Sequence, residues 1–81
     1  MRVQVRLFAL AEELAGGTHV ACELPEGCTI GELRERLGET VPSLVPLLPH
    51  LLIAVNEQYV RDSDPVPDHA VVAVFPPVSG G

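Results

Sequence analysis

The stretch Thr29-Ile30-Gly31-Glu32-Leu33-Arg34-Glu35-Arg36-Leu37-Gly38 decides how this chain is read. A threonine followed three residues later by a glutamate is a capping box, in which hydroxyl and carboxylate each satisfy an amide that the first helical turn leaves without a partner. Ile30, Leu33 and Leu37 then fall at i, i+3 and i+7 as one apolar stripe, with Glu32, Arg34, Glu35 and Arg36 over much of the rest. Gly38 reads as the helix stop. A helix with one apolar face needs a sheet to cover it, and the flanking sequence supplies strands on both sides.

On the N-terminal side, Val3, Val5 and Leu7 alternate with Arg2, Gln4 and Arg6, the period of a strand over residues 1–9. Residues 10–15 (LAEELA) are good helix formers closed by Gly16-Gly17, a short helix or helical turn. A second strand spans 18–24, with Val20, Cys22 and Leu24 on one face, and Pro25-Glu26-Gly27 breaks it ahead of the main helix. On the C-terminal side, Pro42, Pro46 and Pro49 make 41–50 a turn-rich connection. Residues 51–55 are a continuous apolar run, read as a strand covered on both faces or nearly so. Asn56-Glu57 turns into a short strand around Tyr59-Val60, residues 62–68 form a loop with Pro65 and Pro67, and the last strand is 70–75. The order predicts one α+β domain over residues 1–81. Its architecture is the β-grasp, or ubiquitin-like, fold: a mixed sheet of about five strands and one main helix, with 76–81 as an extended, flexible C-terminal Gly-Gly tail.

Composition narrows the function. The chain has 81 residues, 47% hydrophobic and 20% charged, enough for one small core and outside the regime of disordered sequences. Eleven acidic residues face five basic ones, all arginine (Arg2, Arg6, Arg34, Arg36, Arg61), for a formal charge of −6. Binding to a phosphate backbone needs a basic stripe, so nucleic acid is excluded and a basic protein partner favoured. No stretch approaches the roughly 20 apolar residues of a membrane span, and the alternating start is unlike a signal peptide, so no membrane role and a cytoplasmic location are expected. His19, His50 and His69 are scattered and Cys22 and Cys28 lack metal-ligand spacing, so no metal is expected. Cys22 reads as a small core residue.

Residues 70–81 (AVVAVFPPVSGG) carry no charge and finish at two glycines. Pro76-Pro77 stiffens the exit from the last strand, and Gly80-Gly81 removes every Cβ from the final step, so backbone can enter a narrow channel. Such a tail suits delivery of a terminal carboxylate into another protein's active site. A carboxylate is a poor electrophile, so its use requires activation, most simply adenylylation with ATP. Phe8 falls out of phase with Val3, Val5 and Leu7, and with Tyr59 and Phe75 it is expected to form an apolar patch on the sheet face away from the helix, an interface.

The ending Phe75-Pro76-Pro77-Val78-Ser79-Gly80-Gly81, the segment Ala54-Val55-Asn56, and the opening Val5-Arg6-Leu7-Phe8-Ala9 with Glu13-Leu14-Ala15-Gly16 resemble the small, sulfur-carrying subunit of molybdopterin synthase. This is the MoaD/ThiS family of ubiquitin-like sulfur carriers. The resemblance implies a protein that is not an enzyme on its own and binds no cofactor, but carries a thiocarboxylate at Gly81 after adenylylation by a ubiquitin-activating-like adenylyltransferase and sulfuration by a sulfurtransferase. Pro76, Pro77, Val78, Ser79 and Gly80 would then lie in the active site of the large subunit, Phe8, Tyr59 and Phe75 would dock it, and two carriers would serve a heterotetramer that transfers sulfur to cyclic pyranopterin monophosphate. Where these proteins usually carry an Asp-Gly-Asp-Glu-like turn, this chain has Pro67-Asp68-His69-Ala70-Val71. Thiolation of thiamine or tRNA, a ubiquitin-like modifier that forms isopeptides, and a β-grasp interaction domain with a passive tail are the alternatives.

Overall fold

Alternation and capping act in the computed structural model, which describes residues 1–77, as the sequence implies. Strand β1 (Arg2–Leu7) buries Val3, Val5 and Leu7 and exposes Arg2, Gln4 and Arg6. Helix α1 (Ala9–Ala15) ends on Gly16, whose φ of 76° is the left-handed value that glycine takes without strain. Strand β2 (His19–Glu23) returns antiparallel to β1, with Val3 opposite Cys22 and Arg6 opposite His19. Helix α2 (Ile30–Thr40) starts at the expected capping box: the Glu32 amide donates to Thr29 Oγ1 and the Thr29 amide donates to Glu32 Oε1, each at 3.3 Å. Two 3-10 turns (Pro42–Leu44 and Leu48–His50) lead to β3 (Leu52–Val55), β4 (Gln58–Tyr59) and β5 (Val71–Phe75).

The five strands form one mixed sheet in the order β2-β1-β5-β3-β4. Strand β5 sits at its centre, parallel to β1 and antiparallel to β3. The α2 stripe of Ile30, Leu33 and Leu37 is fully buried with Val3, Val5, Leu7, Ile53, Val72 and Val74 of the sheet, and Cys22 belongs to the same core. This is the β-grasp arrangement that the order of elements implies.

Two local readings are corrected. Gly38 does not stop α2: the helix runs on to Thr40, and Gly38 is buried within it, where an added Cβ would stand 2.5 Å from Leu48 Cδ1. The stop comes from Val41, whose φ of −129° and ψ of 84° are not helical, at the position before Pro42 that proline steers away from helical backbone. The apolar run 51–55 is not covered throughout, since Leu52 is exposed. Ala54 is buried on the same side as Leu52 because its cross-strand neighbours Ala73 and Tyr59 flank it.

Arg34, on the polar side of α2 by sequence, turns inward with only 19% of its side chain exposed. One guanidinium nitrogen donates to the carbonyls of Leu48 and Leu51, while Nε and the other terminal nitrogen donate to Asp62 Oδ1 at 3.2 and 3.0 Å. A single planar group thereby joins α2 to the segment before β3 and to the loop after β4. Among the described residues, four non-glycine residues take positive φ: Ala9, Asn56, Glu57 and His69, at 53, 50, 70 and 56°. Asn56 and Glu57 are the two residues between β3 and β4, where the tight hairpin turn requires positive φ at both positions. The Asn56 side chain also accepts the Val71 amide at 3.1 Å, and its own amide donates to the Val71 carbonyl at 2.9 Å. Asn56 thus ties the hairpin tip to the start of β5.

Candidate functional site

The face of the sheet opposite α2 has no helix over it among the described residues, and the register decides what gathers there. Arg6 pairs with Ala73, Ala73 with Ala54, Ala54 with Tyr59, and Leu52 with Phe75, so all six positions share that face. Phe8 joins them because β1 ends one residue earlier while the backbone stays extended at φ −129°, ψ 153°, before the positive φ of Ala9 turns the chain into α1.

The three rings meet there, as expected. Phe8 and Phe75 stack with centroids 4.9 Å apart and planes 13° from parallel. Tyr59 meets Phe75 edge-on at 6.3 Å and 67°. Phe8 and Phe75 are half-buried by this mutual cover, whereas Tyr59 is 71% exposed. Leu52 and Val71 extend the exposed apolar surface. Beside the rings lies an open hollow of about 330 Å³ lined by Arg6, Glu57, Tyr59, Val71, Ala73 and Phe75. Contiguous apolar and aromatic surface of this kind, rimmed by polar side chains, marks a protein interface.

Phe75 closes β5, Pro76 is half-buried and Pro77 exposed. The remaining expected tail residues, Val78, Ser79, Gly80 and Gly81, lie outside the described residues. Other side chains offer little chemistry. Burial pushes the Cys22 thiol above its ordinary pKa, against the opposing pull of the Thr40 side chain and the Arg36 charge; burial and the Glu32 charge do the same for Cys28. Raised thiols are poor nucleophiles at neutral pH. Among the described residues no three His, Cys, Asp or Glu side chains gather as a metal cluster, and no helix is long and apolar enough to cross a membrane.

Sequence reasoning missed Arg6, whose guanidinium carbon lies 5.4 Å from the centroid of the Phe8 ring. Its spacing of two residues from Phe8 was the available signal. The exposure of Val71 and Leu52 was hidden because it depends on how β5 sits between β1 and β3.

A β-grasp sheet with a helix on one face and an open aromatic cluster on the other, at the end of a central C-terminal strand, places the chain in the class of ubiquitin-like proteins. The chain belongs to the ThiS family, whose model matches residues 5–81. It is 35% identical over 81 residues to the molybdopterin synthase sulfur carrier subunit of Arabidopsis thaliana, covering 100% of this chain and 84% of that one. Among solved structures it resembles the small archaeal modifier SAMP1 from Haloferax volcanii (TM-score 0.87, 25% identity, 100% of both chains). It also resembles a chain in the complex of subunits 1 and 2 of the molybdopterin-converting factor from Helicobacter pylori (TM-score 0.71, 28% identity, 100% of both chains).

Proposed function

We propose that this chain is a sulfur carrier and serves as the small subunit of molybdopterin synthase in molybdenum cofactor biosynthesis. The Gly81 carboxylate attacks the α-phosphate of ATP on a ubiquitin-activating-like adenylyltransferase, pyrophosphate leaves, and the resulting acyl adenylate is electrophilic where the carboxylate was not. A persulfide supplied by a sulfurtransferase displaces AMP to give an acyl disulfide, and a thiol cleaves its S–S bond, leaving the thiocarboxylate on the carrier and a disulfide on the donor. The large subunit takes in the tail and uses that sulfur on cyclic pyranopterin monophosphate, and two carriers per assembly supply the two sulfurs of a dithiolene. The chain is not catalytic alone, needs no bound cofactor, and works in the cytoplasm.

What carries this reading is the placement of the Phe8–Phe75–Tyr59 cluster directly before Pro76-Pro77. A partner docked on the rings holds the base of the tail, and a length of six residues, 76 to 81, can reach at most ~20 Å beyond it. Pro76-Pro77 limits the freedom lost when the tail is threaded, and the glycines let backbone pass where a side chain could not.

Likeness to a small archaeal modifier favours a second reading, in which Gly81 is transferred to lysines of target proteins. The chain itself has no lysine and cannot extend through its own side chains. Intact mass after incubation with ATP, the activating enzyme and a sulfur donor separates the two: exchange of one oxygen for sulfur supports the carrier, and isopeptide conjugates support the modifier. Deleting Gly81 abolishes sulfur transfer without loss of fold; a fully active truncated chain would overturn the assignment.

A further inference from the structure

Arg6 stands on the open sheet face where its two halves meet. Its cross-strand neighbours are Ala73 on β5, toward the aromatic cluster, and His19 on β2, toward the polar edge. Arg2, Arg34 and Arg36 each have a carboxylate partner, Glu23, Asp62 and Glu39. Among the described residues no ion pair engages Arg6, although the chain is strongly acidic and Glu57 lines the same hollow. The guanidinium instead lies against the Phe8 ring, which orients the charge while leaving its planar donor edges without a carboxylate.

A partner that covers Phe8, Phe75 and Val71 removes water from beside that guanidinium. Desolvating an unpaired cation opposes binding, so a partner that fits this face must return an anionic oxygen at the same place. We propose that Arg6 is a specificity anchor: the apolar segment that docks on the Phe8–Phe75 stack carries a carboxylate that reaches into the hollow beside Tyr59 and accepts two hydrogen bonds from Arg6. A partner with an apolar or basic group at that position is rejected. This rests on the open face being the surface that receives the large subunit.

The test uses the full chain and purified large subunit, with association and dissociation rates measured at low and high salt for wild type, Arg6→Gln, Arg6→Lys and Phe75→Ala. Arg6 is exposed and outside the core, so Arg6→Gln melts as wild type does. A desolvated charge pair acts on dissociation, so Arg6→Gln dissociates about tenfold faster at low salt and its dissociation loses salt sensitivity. Arg6→Lys falls between, because an ammonium keeps the charge without the two-pronged geometry. Long-range attraction makes the opposite prediction: for a basic partner, Arg6→Gln makes the carrier more acidic and only quickens association. A wild-type dissociation rate in Arg6→Gln, or a change confined to association, overturns the anchor; if Phe75→Ala still weakens the complex, the docking face stands without it. If wild type does not bind the large subunit, the carrier reading fails and the anchor with it.

Discussion

Replacing Arg34 separates two accounts of how the connection after α2 is held. The guanidinium pairs with Asp62 at 3.0 Å, but the Asp62 side chain is 59% exposed, and an ion pair in that position contributes only about 0.5–1 kcal/mol. Its other two bonds end on the Leu48 and Leu51 carbonyls, where Arg34 itself is largely shielded, and bonds from a charged donor contribute roughly 1.5–3 kcal/mol each before partial exposure is allowed for. Water can replace part of the loss once the side chain is gone. Arg34→Ala should therefore destabilise by about 2–4 kcal/mol, most of it from the carbonyls, and Asp62→Asn by no more than about 1 kcal/mol. For a domain of this size each kcal/mol shifts Tm by roughly 4–8 °C, so the two variants should be clearly separated by calorimetry and urea titration. Arg34→Lys should recover less than half of the difference, since one ammonium does not match the forked geometry that reaches both elements. Equal losses for Asp62→Asn and Arg34→Ala would show that the ion pair, not the carbonyl clamp, holds the segment.

At the β3–β4 turn, Glu57 has a φ of 70°, so Glu57→Gly should relieve about 1 kcal/mol of backbone strain, less the added unfolded-state entropy, and so raise the urea midpoint; a lowered midpoint would show that the side chain contributes more than the backbone strain. On the open face, Phe8→Ala and Phe75→Ala should each weaken association with the large subunit more than they lower Tm, because the rings are only half-buried in the free chain; a large fall in Tm with unchanged affinity would assign them to the fold. The buried thiols ionise less readily in the folded chain than in the unfolded one, so their contribution is complete below the unfolded value of about 8.5 and is lost as pH rises above it. Stability should accordingly fall on the alkaline side of that value, and the double variant Cys22→Ala, Cys28→Ala should flatten the fall while keeping thiocarboxylate formation; an unchanged slope would exclude the thiols as its source.

Features written in local sequence were legible. The Thr29–Glu32 capping box, the Ile30-Leu33-Leu37 stripe, the β1 alternation and the Gly16 stop each depend on residues within a turn or two of one another, and each formed as the local chemistry requires. Gly38 was misread because it packs against Leu48, ten positions away and brought close by the proline-rich turns, where a Cβ would press on Leu48 Cδ1. Arg34 reads as a solvated helix residue until those turns present their carbonyls to it. At the candidate site, the side of the sheet taken by Phe8 followed from counting by two. Its stacking on Phe75, the Tyr59 edge contact and the place of Arg6 depended on the register of β5, which no local pattern carries. His69 shows the same limit, because its left-handed φ belongs to a turn whose sequence, Pro67-Asp68-His69, has no glycine to announce it.

The central place of β5 bears on how the molecule answers a pull. Because β5 lies between β1 and β3, traction on the chain beyond Pro77 runs along the strand and across ladder bonds on both of its sides, perpendicular to those with antiparallel β3 and slanted to those with parallel β1. Those bonds share the load in shear instead of parting one by one, as they would at a peeled edge strand. Val72 and Val74, fully buried under α2, must also slide together before β5 can move. A carrier built this way can have its end gripped, drawn into a channel and hauled out again while the body resists unravelling, so the fold serves as a mechanical anchor for the segment it delivers.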